Sequence, residues 1–298
     1  MGNVLTSRIA TDFFGGVTSG IVIALVALCL VIIWQSTNIL NFAQGAMSMF
    51  AAFVGMNLVF HGVNYWLCLL IAVLAGMVSG GLTERVLIRP LYGKPEINPV
   101  VVMIGFLGVV EALAASIWNN ESATVPPPFS LTYFESNGHT ILISPNAIFQ
   151  VTLAVGVMLL VALVFRYTNI GLQMRAAALA PEVSKLLGVR VDRLLTLGWI
   201  VSSGVGAIAA VIVSTGQTLA PTNMDGIFVS AFIAAAIGGL SSPVGAVTGG
   251  VLIGLTNYYV LDFWSPNIAP LTSVVVLVAV LFVRPQGLFT KNTTRRVQ

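Results

Sequence analysis

Four uncharged polar residues, Asn38, Asn41, Gln44 and Ser48, interrupt an apolar run at intervals of three, three and four. That spacing puts them on one helix face. They would line a wet pathway or hydrogen-bond neighbouring helices, the latter contributing well under about 2 kcal/mol each. One carboxylate, Glu111, sits well inside another apolar run. A charge at such depth costs roughly 3 kcal/mol on insertion scales, and residues of this kind usually face the bundle interior or a cavity. Glu111 would meet a cationic group of a passing solute, or stay protonated and hydrogen-bond a helix. His61 and His139, the only histidines, fall in expected loops and read as ordinary solvated residues. Cys29 and Cys68 lie in apolar runs and read as small buried hydrophobes rather than a disulfide or metal pair. The phosphate loop, the H-E-x-x-H zinc helix and the G-x-S-x-G elbow have no match here. The chain therefore reads as non-enzymatic, with no cofactor or metal of its own and no sign of nucleic-acid binding.

The elements that carry these residues follow from composition. Of 298 residues, 57% are hydrophobic and 8% charged, against roughly 25% charged in a soluble domain. Such a chain cannot build a water-facing surface and must face lipid. Only α-helices or a closed barrel satisfy the backbone there. Apolar segments of about 20 residues match a helix, not the ten-residue alternation of a barrel strand. Residues 13–33, 40–60, 66–83, 147–165, 194–214, 227–240, 244–261 and 268–283 contain no Asp, Glu, Lys or Arg, and 99–118 contains only Glu111. The expected fold is an all-α polytopic membrane protein, a bundle of eight or nine transmembrane helices, some broken or re-entrant. The 14-residue segment 227–240 is the shortest. All of 1–298 reads as one transmembrane domain. A secretory signal fits the first apolar run poorly, because 13–34 is too long and no A-x-A site follows.

Charge sets the orientation. Twelve of the 13 Lys and Arg residues lie in three stretches: Arg85 to Lys94, Arg166 to Arg193, and Arg284 to Arg296. The positive-inside rule makes these cytoplasmic. Two spans separate the first from the second and four separate the second from the third, so all three reach one side. That parity requires a turn at Gly238–Gly245, where Pro243 and two serines break the helical pattern. The loop at about 119–146, with Glu121, Glu135 and His139 but no Lys or Arg, becomes external, and its Pro126-Pro127-Pro128 run suits an extended segment. The N-terminus falls outside if three full spans precede Arg85, and inside if 34–60 is re-entrant. Gly16 and Gly20, Gly245 and Gly249, and Gly250 and Gly254 each make a G-x-x-x-G spacing, which reads as close helix packing.

The cytoplasmic loop at about 166–193 predicts a short surface helix. Pro181 suits its first turn, Glu182 its positive end, Lys185 its last turn and Gly188 its stop. Leu186 and Leu187 give it an apolar contact. Physics alone allows either a polar connector anchored to lipid headgroups or a docking helix for a cytoplasmic partner. A cytoplasmic tail follows at about 284–298.

Together with GGVTSGIVIALVALCL at 15–30, NILNFAQGAMSMF at 38–50 and IGGLSSPVGAVTGGVLIG at 237–254, the loop GLQMRAAALAPEVSKLLGVRVDR resembles the LivH-type permeases of the branched-chain amino acid ABC importer family. The likeness runs from about residue 13 to 289. It implies a transport subunit in the bacterial inner membrane that pairs with a second homologous permease, two cytoplasmic ATPase subunits and an external substrate-binding protein. ATP would be used by those partners. Arg175, Pro181, Glu182, Lys185 and Gly188 would belong to the ATPase-coupling segment at 175–188. Asn38, Asn41, Gln44, Ser48 and Glu111 are the candidate pathway residues. The resemblance leaves the substrate open among branched-chain amino acids, other amino acids, amides and urea. A stand-alone secondary transporter or channel is the competing class, although such proteins usually couple through several intramembrane charges.

Overall fold

The computed structural model describes residues 2–95, 97–118, 124–136, 139–141, 144–265, 268–284 and 287–289; for some, among them 2–11, 134–141, Pro181 and Glu182, only the backbone is described. The described chain folds into helices α1 (Gly2–Thr37), α2 (Gln44–Met56), α3 (Tyr65–Thr83), α4 (Ile97–Trp118), α5 (Pro145–Tyr167), α6 (Asn169–Leu179), α7 (Pro181–Leu186), α8 (Val191–Ser214), α9 (Asp225–Gly238), α10 (Pro243–Phe263) and α11 (Ala269–Val283). Strands β1 (Phe134–Ser136) and β2 (His139–Ile141) form a small antiparallel hairpin in the loop after α4.

Among the described residues, six helices are long and apolar enough to cross a membrane, and α9 and most of α11 are shorter apolar helices. With the 13-residue α2, these match the nine expected segments one for one. The apolar parts of α1 and α8 are 83% and 72% buried, against 17% for both α4 and α5. The bundle thus has a packed centre of α1, α2 and α8 and a lipid-facing perimeter. With hydrocarbon outside as apolar as the core, small residues must let backbones approach. They do so where the spacing predicted. Gly16 and Gly20 of α1 face Leu255 and Val251 of α10, Gly254 meets the Gly20 backbone, and Gly250 meets Ala24. Gly245 and Gly249 instead face Gly238 and Ala234 of α9.

Turn chemistry explains the ends. Asn64 accepts a hydrogen bond from Trp66 N–H to start α3, Ser144 accepts from Ala147 before Pro145 in α5, and Ser242 accepts from Gly245 before Pro243 in α10. The expected break at Gly238–Gly245 is the α9–α10 turn. The segment after α11 folds back on it, Leu288 and Phe289 donating N–H groups to the carbonyls of Ile237 and Gly238 at 2.8 and 3.2 Å.

Contacts between ends fix the sidedness. Gln35, at the end of α1, donates to the Ser241 carbonyl in the α9–α10 turn, the end that also carries Arg284. At the opposite end Tyr65 shares a hydrogen bond with Thr215, and Val125 and Gly216 pair through their backbones. So α1 starts on the face opposite the basic stretches. Crossings by α1, α2 and α3 precede Arg85. Most of the basic C-terminal tail, 290–298, and residues 119–123, 137–138 and 142–143 of the external loop lie outside the described residues.

Candidate substrate pathway and coupling site

The polar stripe is only partly a helix face. Asn38 ends α1 in the left-handed region at φ 54°, donating its N–H to Trp34 O at 2.8 Å, with its side chain exposed. A short polar side chain is among the few that tolerate this conformation, so the helical spacing fails at that residue. Asn41 also lies outside a helix. Its Oδ1 accepts the Ala43 N–H at 3.0 Å, an Asx turn that starts α2. Yet Asn41, Gln44 and Ser48 do come together. Asn41 Nδ2 donates to Gln44 Oε1 at 3.0 Å and Gln44 Nε2 to Ser48 Oγ at 3.2 Å, all three residues being buried. Gly206 of α8 lies against Gln44 and Ser48 so closely that a side chain there would strike both. In this packing the trio is satisfied within itself and closed by α8.

Beside the trio, the chain from Thr215 to Met224 is irregular. It leaves the outer end of α8 and descends until Phe228 and Met224 pack at Gly45, their Cβ atoms 3.2 and 3.7 Å from where a Gly45 Cβ would lie. Non-helical backbone at membrane depth is tolerated only where protein buries it or water reaches it. Glu111 lies half-buried on the perimeter helix α4, and Asp225 stands at the start of α9. Sequence reasoning passed over Asp225, because it flanks an apolar run and signals only a helix start.

Between α5 and α8 the structure has two short helices where one was expected. Thr168 caps α6, accepting from Gly171 N–H, and α7 begins at Pro181 as predicted. Gly188 follows at φ 81°, with its N–H on the Lys185 carbonyl at 3.0 Å, which stops α7 as expected. Leu186 and Leu187 are 87% and 78% exposed. Arg175 folds back on its own helix, Nε donating to the Gly171 carbonyl at 3.2 Å. The Glu182 side chain lies outside the described residues.

A second polar group was missed altogether. Past Thr83, α3 continues through a π-helical turn, Glu84–Ile88, and a 3-10 turn, Arg89–Leu91. Glu84 is fully buried. Arg89 grips its carboxylate with both Nε (3.3 Å) and Nη2 (3.2 Å), and Tyr92 Oη donates at 3.3 Å. From α8, Thr196 Oγ1 accepts from Arg89 Nη2 at 2.9 Å; its own proton serves Glu84 Oε2 at 2.7 Å or the Asp192 carbonyl at 2.9 Å. Burial, reinforced by the Glu84 charge, holds the Tyr92 phenol well above its ordinary range, so it stays a donor. The E-R-x-x-x-R run reads as plain surface charge in sequence, and only an i,i+5 contact across the π turn reveals the pair.

Residues 13–284 match the family described as the permease component of branched-chain amino acid transport systems. The chain belongs to that family. Members are transport components, and this one is a multi-pass membrane protein. It is 25% identical to the high-affinity branched-chain amino acid permease LivH of Escherichia coli K12, covering 96% of this chain and 97% of that protein. It is 26% identical to the fructose import permease FruF of Bifidobacterium longum over 74% of this chain and 62% of FruF. Among solved structures, PsaBC from Streptococcus pneumoniae superimposes with a TM-score of 0.49 at 12% identity, covering 91% of each chain.

Proposed function

We propose that this chain is the permease subunit of an ATP-driven importer in a bacterial inner membrane. It shares with a second homologous permease a pathway for a branched-chain amino acid or a related small polar solute. Two cytoplasmic ATPase subunits would supply the energy, and an external binding protein would deliver the substrate. All of residues 1–298 would act as one permease domain, without a cofactor of its own.

The observation that carries this reading is the α6–α7 hairpin on the basic face. It presents Leu186 and Leu187 to solvent beside the exposed Lys185, as a docking surface would and a lipid-solvated connector need not. Arg175, Pro181, Glu182, Lys185 and Gly188 are assigned to that coupling segment. The pathway is assigned to Asn41, Gln44 and Ser48, with Asn38 at its basic-side mouth and Glu111 at its flank. Among the described residues, two buried groups on α8, Trp199 Nε1 and Ser203 Oγ, find no hydrogen-bond partner. Buried donors rarely stay unpaired, and a second arrangement of α8 would hydrate them.

Co-purification from detergent tests the reading. The chain should elute with an ATPase subunit, and leucine uptake in proteoliposomes should require ATP. Glu111, a carboxylate well inside the apolar helix α4, is the one observation favouring a self-sufficient secondary transporter. Leucine uptake by the lone chain would establish that alternative.

A further inference from the structure

The Glu84 group lies where three parts of the molecule meet. Leu187 to Arg190 join α7 directly to α8. Met174 and Ala177 of α6 pack with Val191 and Leu194 in the first turns of α8. The next contacts along α8 are those that Thr196 and the Asp192 carbonyl make with Glu84 and Arg89. Beyond them, Gly80 of α3 lies against Trp199 and Ser203, and Thr83 approaches Met47 of α2 at 4.0 Å. A continuous chain of contacts therefore runs from the cytoplasmic hairpin, through the first turns of α8 and the end of α3, to the helix that carries Gln44 and Ser48.

A buried ion pair is a poor device for stability alone, since well-packed apolar residues of the same volume usually do as well or better. Its worth is directional. Glu84 is fully buried while the Arg89 side chain is 38% exposed. Arg89 and Tyr92 belong to the same segment as Glu84, so Thr196 and the Asp192 carbonyl are what tie the pair to α8, and sliding α8 along α3 would strip both contacts from it. The π turn that aims Glu84 and Arg89 at one another is itself a rare local geometry, of a kind frequent at functional sites.

We propose that Glu84, Arg89 and Thr196 form a positioning clasp that couples the cytoplasmic hairpin to the transport pathway. The clasp holds the end of α3 and the start of α8 as one unit, so that displacement of α6 and α7 is conveyed to α2 and its polar trio. This inference rests on the ATP-driven reading above.

The test uses the complete assembly in proteoliposomes, with leucine uptake and ATP hydrolysis measured together for wild type, Glu84→Gln and Thr196→Val. Glu84→Gln should leave hydrolysis within about twofold of wild type while leucine moved per ATP falls about tenfold or more, a coupling loss of about 1.4 kcal/mol. Thr196→Val should shift the ratio in the same direction, and it stands in should Glu84→Gln fail to assemble. An unchanged ratio overturns the clasp. So does a parallel fall of uptake, hydrolysis and yield, which is what a purely structural pair would produce. Amide hydrogen exchange on the same assemblies gives an independent readout. Either variant should raise exchange at 83–92 and 191–198 and leave 145–167 unchanged; no change at the first two segments overturns the proposal. ATP-independent uptake by the wild-type lone chain would refute the importer reading instead, while the exchange result still decides the clasp.

Discussion

Replacing Gly254 with alanine tests whether the α1–α10 crossing is as close as the structure places it. The added methyl would fall on the Gly20 Cα and N and lie 2.8 Å from the Gly16 carbonyl oxygen. Carbon contacts prefer about 3.5–4.0 Å, and all three obstacles are backbone, which cannot rotate away. The helices must separate, losing the packing that holds them in lipid. Overpacking costs about 1–3 kcal/mol, and a backbone wall puts Gly254→Ala at the upper end. Better helix propensity returns about 1 kcal/mol, leaving a net loss of about 2 kcal/mol. Gly156→Ala on α5 is the control, because nothing lies within 4 Å of its added Cβ; it should be neutral or slightly stabilising. The assay is unfolding in detergent followed by size-exclusion chromatography or circular dichroism. If Gly254→Ala is as stable as wild type, or the two variants shift together, the crossing is wrong.

Three further expectations concern the sites. Gly188→Val forces a β-branched residue into φ 81°, costing about 1–2 kcal/mol; the yield of co-purified ATPase should fall, and an unchanged yield removes Gly188 from the coupling segment. Gln44→Met leaves the buried Asn41 amide only the weakly accepting Met47 sulfur at 3.6 Å in place of the Gln44 oxygen, a penalty of about 1–3 kcal/mol. Leucine uptake by the assembly should drop about tenfold at matched protein levels, and full uptake would dissociate the trio from the pathway. Glu111→Gln tests the flank of the pathway: leucine uptake should fall about tenfold if the carboxylate of this half-buried residue meets a substrate ammonium, and uptake within about twofold of wild type removes Glu111 from the pathway.

The membrane fold was legible because hydrocarbon imposes one rule everywhere: charge-free stretches of helical length. The glycine spacings at 16–20 and 250–254 were legible for the same reason, since close approach in lipid has few other solutions. What escaped depended on backbone departures. Asn38 looked helical by spacing, but an Asn in the left-handed region ends α1 there, and Asn41 starts a turn rather than extending a face. Glu84 escaped for the converse reason. The charge appeared to end α3, whereas the helix runs on through a π turn and buries the carboxylate against Arg89 and Thr196. Periodicity reports which residues share a face only while the helix stays regular.

These departures share a location. The α1–α2 break, the irregular descent from Thr215 to Met224 and the π turn at Glu84 all border α2, α3 or α8, whereas α4 and α5 run as uninterrupted helices on the perimeter. An uninterrupted apolar helix satisfies its own backbone and offers a passing solute nothing. An interrupted one exposes carbonyls, N–H groups and polar side chains, and needs neighbours to satisfy them. In this structure α8 is that neighbour for the trio, with Gly206 pressed against Gln44 and Ser48, and its own Trp199 and Ser203 donors find no partner among the described residues. On the proposed reading, opening a pathway at the trio would require α8 to leave α2, and α8 is the helix joined to the α6–α7 hairpin. The side chains that would meet solute and the segment that would receive force are thus joined by one helix, and α8 is where variants should separate transport from ATP hydrolysis.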